Sequence, residues 1–265
     1  MLDGTDYPWR KGPVPHVIQL KECRNAIIEN IVVRGAYHWT IVPIGCDGVT
    51  VRGVKLCGGR VQNDDGVDPC NSCNVLVEDC FFRTDDDCVA VKGMTWGEKY
   101  GSVSNVVVRN CAFWSDHARI ALMGHESRAP FMREIVFEDC DILRSRLSAF
   151  LLEPGEGMRL ENVRVRNVRV RDDIGDPAYR VLTLRPCVNE YMKDKTPGHI
   201  ADCSFENVSV TCKHLKGLFL LQGHDEMHKV KNIVISGACL NGNQIKAGDP
   251  AMRIGSFTEN IAIRP

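Results

Sequence analysis

The nonapeptide Asn74-Val-Leu-Val-Glu-Asp-Cys80-Phe-Phe82 returns as Asn105-Val-Val-Val-Arg-Asn-Cys111-Ala-Phe113 and again as Glu134-Ile-Val-Phe-Glu-Asp-Cys140-Asp-Ile142. Looser copies begin at Asn25 and Gly48 and, further on, near Asn162, Ala201, Asn232 and Asn260. Within each copy apolar and polar residues alternate, the period-two signature of a strand with one buried face. The starts at 25, 48, 74, 105, 134 and 162 lie 23, 26, 31, 29 and 28 residues apart. That spacing is too irregular for a tight helical array and suits stacked coils joined by loops of unequal length.

A second short strand follows each copy: Cys88–Lys92, Arg119–Met123, Phe150–Glu153, Arg180–Leu184 and Leu218–Leu221. No single unit can bury its apolar face, so the units must stack. Stacked coils lie about 4.8 Å apart, which turns equal offsets into columns. Asparagine suits the head of such a column because it tolerates left-handed turns and bonds to its neighbours. Cys80, Cys111 and Cys140 share one offset and are read as an interior stack of thiols acting as small hydrophobes. Hairpin-turn signals are scarce, which argues against a propeller or sandwich. The expected fold is all-β, a right-handed single-stranded parallel β-helix of the pectin-lyase-like solenoid type, with residues 1–265 forming one domain.

The chain has 265 residues, 44% hydrophobic and 25% charged, enough to bury a substantial core. Its formal net charge of −1 supplies no field that would hold nucleic acid or an anionic membrane surface. An acidic substrate would have to be held locally. No apolar run approaches membrane-spanning length, and no signal peptide opens the chain. A monomer is expected, cut from an exported or periplasmic parent that carries further N-terminal coils. The thirteen cysteines are odd in number, and Cys70 with Cys73 finds no second pair to complete a zinc site. Neither a metal nor a cofactor is expected.

Two segments interrupt the alternation with acid: Asn63-Asp64-Asp65-Gly66-Val67-Asp68 and Thr84-Asp85-Asp86-Asp87-Cys88-Val89-Ala90-Val91-Lys92-Gly93. Asp65 and Asp87 are 22 residues apart, one coil, so stacking brings their carboxylates to one side of the solenoid. Repulsion between them should raise the pKa of one. Asp86 and Asp87 are adjacent and would face opposite sides of a regular strand, so both reach one cleft only if the chain bends there. Asp64 and Asp85 are read as solvated turn residues.

Asn-Asp-Asp-Gly-Val-Asp followed by Asp-Asp-Cys-Val-Ala-Val-Lys resembles the paired acidic motifs of the family 28 glycoside hydrolases, the polygalacturonase group. Leu2-Asp3-Gly4, Trp9, Trp39 and Cys46-Asp-Gly-Val49 resemble that family's earlier coils, and the likeness is closest over residues 2–124. The resemblance implies an inverting hydrolase of polysaccharide O-glycosidic bonds, in which Asp65 and Asp87 activate a water and Asp86 protonates the departing oxygen. Such chemistry needs carboxyl groups about 6.5–9.5 Å apart. Asn63 and Asp68 are then candidates for orienting the cluster or touching sugar.

Two departures bear on substrate. Setting Asp86–Gly93 over His117–Gly124 puts the family's histidine position at Ala118, with His117 one place early. His117, Arg119, His125 and Glu126 are the candidate contacts there. One coil on, Leu151 and Glu153 stand where polygalacturonases carry an Arg-x-Lys pair able to bind a sugar carboxylate. Arg119, Arg146, Arg180 and Arg185 are nearby candidates to restore that charge. Trp96, Tyr100 and Trp114 are candidate sugar-stacking rings. Two other functions compete: a calcium-dependent polysaccharide lyase, since clustered Asp can bind calcium, and a non-catalytic carbohydrate-binding β-helix.

Overall fold

The structure, a computed structural model, describes residues 1–7, 15–59, 62–96, 99–172 and 174–265, and the side chains of 95–100 also fall outside the description. Trp9 therefore lies outside the described residues, as do the rings of Trp96 and Tyr100. The described chain winds as a right-handed parallel β-helix. Its strands pair in parallel apart from two short hairpins, Thr95–Trp96 with Lys99–Tyr100 and Cys239–Leu240 with Asn243–Gln244.

Three ladders wrap the core. The first stacks the repeat strands, from Arg24–Glu29, Asp47–Arg52, Cys73–Glu78 and Val103–Arg109 to Val230–Ser236 and Thr258–Arg264. The second follows a corner and includes Lys55–Gly59, Phe81–Thr84, Ala112–Ser115 and Asp141–Arg144. The third carries Val89–Val91, Arg119–Gly124, Ser148–Glu153, Arg180–Leu184, Phe219–Leu221 and Met252–Ile254. Single bridges through Val67 and Cys70 tie it to Ile41–Ile44, which pairs in turn with Ile18–Lys21.

The inward residues of successive coils pile into columns. Val49, Val75, Val106, Ile135 and Val163 lie one above the next and are buried. Each such side chain is worth about 1.5–3 kcal/mol of transfer from water. Cys80, Cys111 and Cys140 are buried as a stack, and each thiol donates to the carbonyl two residues back at 3.1 Å. All thirteen cysteines are free.

The corner residues explain the recurring asparagine. Asn74, Asn105, Asn162, Asn232 and Asn260 hold φ between 51 and 56°, the left-handed region that Asn enters most readily among residues with a side chain. Their amides climb the column, Asn105 Nδ2 to Asn74 Oδ1 at 2.7 Å and Asn260 Nδ2 to Asn232 Oδ1 at 3.0 Å. A second ladder, not anticipated from the repeat, runs through Asp79, Asn110, Asp139, Asn167 and Asn207, again at positive φ. Asn167 Nδ2 reaches Asp139 Oδ1 at 3.0 Å and Asn207 Nδ2 reaches Asn167 Oδ1 at 3.1 Å.

Candidate active site

The third ladder carries the acids. Val67 bridges Val89, so Asp65 stands directly over Asp87, the register that their 22-residue separation implies. Gly66 donates to the Asp87 carbonyl at 2.9 Å, and a Cβ at this glycine would strike the Cys88 carbonyl oxygen. The absence of that Cβ lets the two coils close, bringing Asp65 and Asp87 to neighbouring backbone spacing, about 4.8 Å. Both carboxylates are buried, and burial is the main cause that pushes Asp65 up to about 7 and Asp87 up to about 6. Lys92 pulls against that rise at Asp65, and Arg119 pulls against it at Asp87.

The chain bends between Phe81–Thr84 and Val89–Val91, and the bend is built by Asp64. Asp64 Oδ1 accepts the N–H groups of Asp85 and Asp86 at 2.7 and 2.9 Å. The expectation of a solvated Asp64 is corrected: it is 1% exposed, and burial pushes it up to about 8 against those two bonds. On the far side, the hydroxyls of Thr84 and Ser115 donate to the Asp86 carbonyl at 2.7 and 2.8 Å. Asp86 itself is half-buried and fixed at both oxygens. Oδ2 accepts from the Asn63 backbone N–H at 3.0 Å and from Asn63 Nδ2 at 3.2 Å, while Oδ1 accepts the Asp87 N–H at 3.0 Å.

Lys92 closes the cluster from below. Its ammonium, 4% exposed, lies 3.0 Å from Asp65 Oδ2, 3.0 Å from Glu126 Oε1, 3.7 Å from Asp68 Oδ2 and 3.4 Å from the centre of the Trp39 ring. Burial opposes the Lys92 charge, yet Asp68, Asp65 and Glu126 together hold its pKa well above the ordinary lysine value. Asp68 is fully buried with neither oxygen hydrogen-bonded, and burial pushes its carboxyl well up. Glu126, a candidate contact from sequence, sits on the loop after Gly124, whose φ of +95° turns the chain back over Lys92.

The register of the next coil differs from the sequence alignment by one residue. Thr84 pairs with Ser115 but Val89 pairs with Ala121, because the turn between them is one residue longer on the later coil. Arg119, not Ala118, therefore stands beside Asp87, donating its backbone N–H at 3.0 Å and approaching through Nη1 at 3.5 Å. Ala118 is buried. His117 is exposed, with Nδ1 2.5 Å from Asp85 Oδ1. Leu151 and Glu153 lie directly beyond Leu122 and Gly124. Glu153 is buried but ionised at neutral pH: bonds from His125 and Arg185 outweigh burial and hold it down at about 2. Trp114 lies on the second ladder between the guanidiniums of Arg83 and Arg144, which cover its faces.

Aromatic walls rise on the earlier coils. Trp39 is next above Asp65, and His16 stacks on Trp39 at 5.1 Å and 8°. His16 and His38 share a hydrogen bond of 3.1 Å between their Nδ1 atoms, and burial, ahead of the nearby charges, lowers His16 to about 4. Between this wall and the loop 124–128 opens a cavity of about 370 Å³ lined by Trp39, Lys92, Met94, Glu126, Arg128 and Tyr191. Among the described residues, no cluster of three or more His, Cys, Asp or Glu has the arrangement of a metal site.

Fold and site together define a class: a parallel β-helix with an acid-lined cleft on one ladder. The chain belongs to glycosyl hydrolases family 28, whose sequence pattern it matches over residues 5–246. It is 28% identical over 116 residues to a probable polygalacturonase of Vitis vinifera, an alignment covering 42% of this chain and 24% of that one. In structure it is similar to the exopolygalacturonase of Thermotoga maritima (TM-score 0.69, 19% identity, 94% of this chain and 55% of that one). It is also similar to the family 28 exopolygalacturonase of Yersinia enterocolitica (TM-score 0.61, 18% identity, 88% and 44%). The chain thus spans about a quarter of the curated relative's length and about half of each solved structure's.

Proposed function

We propose that this chain carries the active site of an inverting glycoside hydrolase acting on a cell-wall-type polysaccharide. The observation that carries the reading is the stacking of Asp65 over Asp87 beside a separately oriented Asp86. Asp86 is the proton donor to the departing glycosidic oxygen. Its two oxygens are held by Asn63 and by the Asp87 N–H, so the carboxyl is aimed before substrate arrives. Asp65 and Asp87 share the task of drawing a proton from water as it attacks the anomeric carbon, so the bond breaks with inversion. Lys92 and Arg119 each stand beside one of these bases and favour its anionic form. Trp39 and Tyr191 line the adjoining cavity, where a sugar ring would meet aromatic side chains.

Family membership weighs against the lyase and non-catalytic readings. The test is release of reducing ends from a panel of polygalacturonate, rhamnogalacturonan and neutral glucans, with the Asp86→Asn variant and added chelator as controls. Release that Asp86→Asn abolishes and chelator spares is the expected result. Folded protein that releases nothing from any polymer, or chelator-sensitive cleavage with unsaturated ends, would overturn the proposal.

A further inference from the structure

Away from the acids, the register of the coils brings thiols together in two columns. One is the interior stack of Cys80, Cys111 and Cys140, each buried. The other is Cys23 over Cys46. Ile18–Lys21 pairs with Ile41–Ile44, Lys21 against Ile44, and Arg24–Glu29 pairs with Asp47–Arg52, Arg24 against Asp47. The two cysteines, 23 residues apart, occupy the corner between those pairings and share one column. Cys46 Sγ accepts the backbone N–H of Cys23 at 3.4 Å. Each thiol donates to the carbonyl two residues back, Cys23 to Lys21 at 3.4 Å and Cys46 to Ile44 at 3.5 Å, so the side chains take the same course. Residues stacked on neighbouring coils have Cα atoms about 4.8 Å apart, inside the roughly 4.4–6.8 Å that a disulfide spans.

The two columns differ in access. Cys46 is buried, but Cys23 is part-exposed. Thiol–disulfide exchange needs a thiol that a dissolved disulfide can reach and, to close a bond within the chain, a second thiol beside it. The interior stack supplies the second condition without the first, and buried thiols of that kind are inert. Other accessible cysteines face groups that are not thiols. Cys73 donates to Asp47 Oδ1 at 3.4 Å, Cys187 lies by Glu153 and Arg185, and Cys239 donates to the Gly237 carbonyl at 3.8 Å. Cys57 stands on an outward column between Arg34 and Arg83. Among the described residues, Cys23 is thus the thiol that combines access with a neighbouring thiol. Burial above all, with the Cys23 thiol adding to it, raises the pKa of Cys46, so Cys23 is the group that meets a reagent first.

We propose that Cys23 and Cys46 form an oxidative modification site, closed to an intrachain disulfide by exchange with a low-molecular-weight disulfide. The Cys23 thiolate attacks one sulfur of the reagent, forming a mixed disulfide and expelling one reagent thiolate. The Cys46 thiolate then attacks the Cys23 sulfur, and the second reagent thiolate leaves. The cysteine pair loses two electrons, the reagent disulfide gains them, and the two thiol protons end on the expelled thiolates. The new bond joins the chain just after Ile18–Lys21 to the chain just after Ile41–Ile44. Before those same strands His16 stacks on Trp39, whose ring centre lies 3.4 Å from the Lys92 ammonium. The cross-link therefore ties together the two coils that carry the aromatic wall of the cleft, and it restricts the 23-residue segment between the cysteines in the unfolded chain.

Oxidised glutathione is the probe. Folded, reduced protein is incubated with it at about pH 8.5, near the ordinary thiol pKa, then alkylated, digested without reduction and mapped by mass spectrometry. The expected map shows the Cys23 and Cys46 peptides linked, and Cys80, Cys111 and Cys140 alkylated only after unfolding. Linked Cys23 should exceed glutathione-bound Cys23 at least about tenfold, because a neighbouring thiol attacks faster than a free one. In Cys46→Ser the first step proceeds and the second cannot, so Cys23 should keep its glutathione. In Cys23→Ser neither product should form on this column. Near-ultraviolet dichroism reports that each sample is folded, and the wild-type map decides the matter even where a variant is not. Cys23 recovered as a free thiol from the wild type, Cys23 holding glutathione there as firmly as in Cys46→Ser, or links within the interior stack of folded protein would each overturn the proposal.

Discussion

Replacing Lys92 with Met removes the cation that Asp65, Asp68 and Glu126 share, while keeping a side chain of similar length. In the wild-type protein the ammonium is 4% exposed and sits 3.0 Å from two carboxylates. Breaking a buried ion pair by deleting one partner costs about 3–5 kcal/mol, because the other charge is stranded. The carboxyl groups have an escape, which is to take up protons. Asp65 already sits at about 7, above its unfolded value, so the folded state binds a proton that the unfolded state has released. Such a group costs stability as pH rises from its unfolded pKa, about 4, to its folded one. Without Lys92 the folded pKa climbs further, and the added loss falls above pH 7. Chemical denaturation of Lys92→Met should therefore show about 3–5 kcal/mol of destabilisation at pH 8. The loss should be smaller at pH 5 by at least about 1.4 kcal/mol, the equivalent of one pKa unit. A loss that is the same at both pH values, or below about 1 kcal/mol at pH 8, would refute the claim that Lys92 neutralises buried carboxylates.

Other perturbations separate catalysis from support. Asp86→Asn should lower kcat at least about 100-fold, the usual span for a positioned proton donor, while thermal unfolding stays near the wild type because Asp86 is half-buried. The acid limb of the rate profile should lie between about 6 and 7, since Asp87 and Asp65 must ionise to act as bases. Glu126→Gln should move that limb down by about one unit, because Lys92 then serves Asp65 with less competition, and a limb that moves up would contradict the geometry. In the asparagine ladder, Asn105→Gly keeps the positive φ and should cost about 1 kcal/mol for the lost hydrogen bond; Asn105→Ala should cost about 1–2 kcal/mol more, read from denaturant midpoints.

The fold was legible because the solenoid writes its period into the chain three times almost without change, at Asn74, Asn105 and Glu134. A column demands the same kind of residue at the same offset in each coil, so one look at the repeat gives the ladder, the corner and the thiol stack. The second corner ladder is equally present in Asp79, Asn110 and Asp139, each one residue before a stacked cysteine, but mixed Asp and Asn at that offset do not mark a left-handed corner as plainly as a run of Asn does. In the site, Asp65 over Asp87 could be read because both lie on well-ordered offsets of 22 residues. The next coil could not be read to one residue, because a turn between ladders can lengthen without disturbing the strands on either side. That single residue moved Arg119 into the place beside Asp87, while His117 meets Asp85. Glu126 and the burial of Asp64 depend on how loops fold back on the coil, which periodicity does not encode.

The central claim, a single displacement run by Asp86 as acid with Asp65 and Asp87 as base, has a stereochemical consequence that can be watched directly. Proton NMR of the first reducing ends released, recorded before mutarotation, would report their anomeric configuration. The account predicts a configuration opposite to that of the bond cleaved, as water attacks from the far face. New reducing ends with the original configuration, or products carrying a double bond, would contradict it.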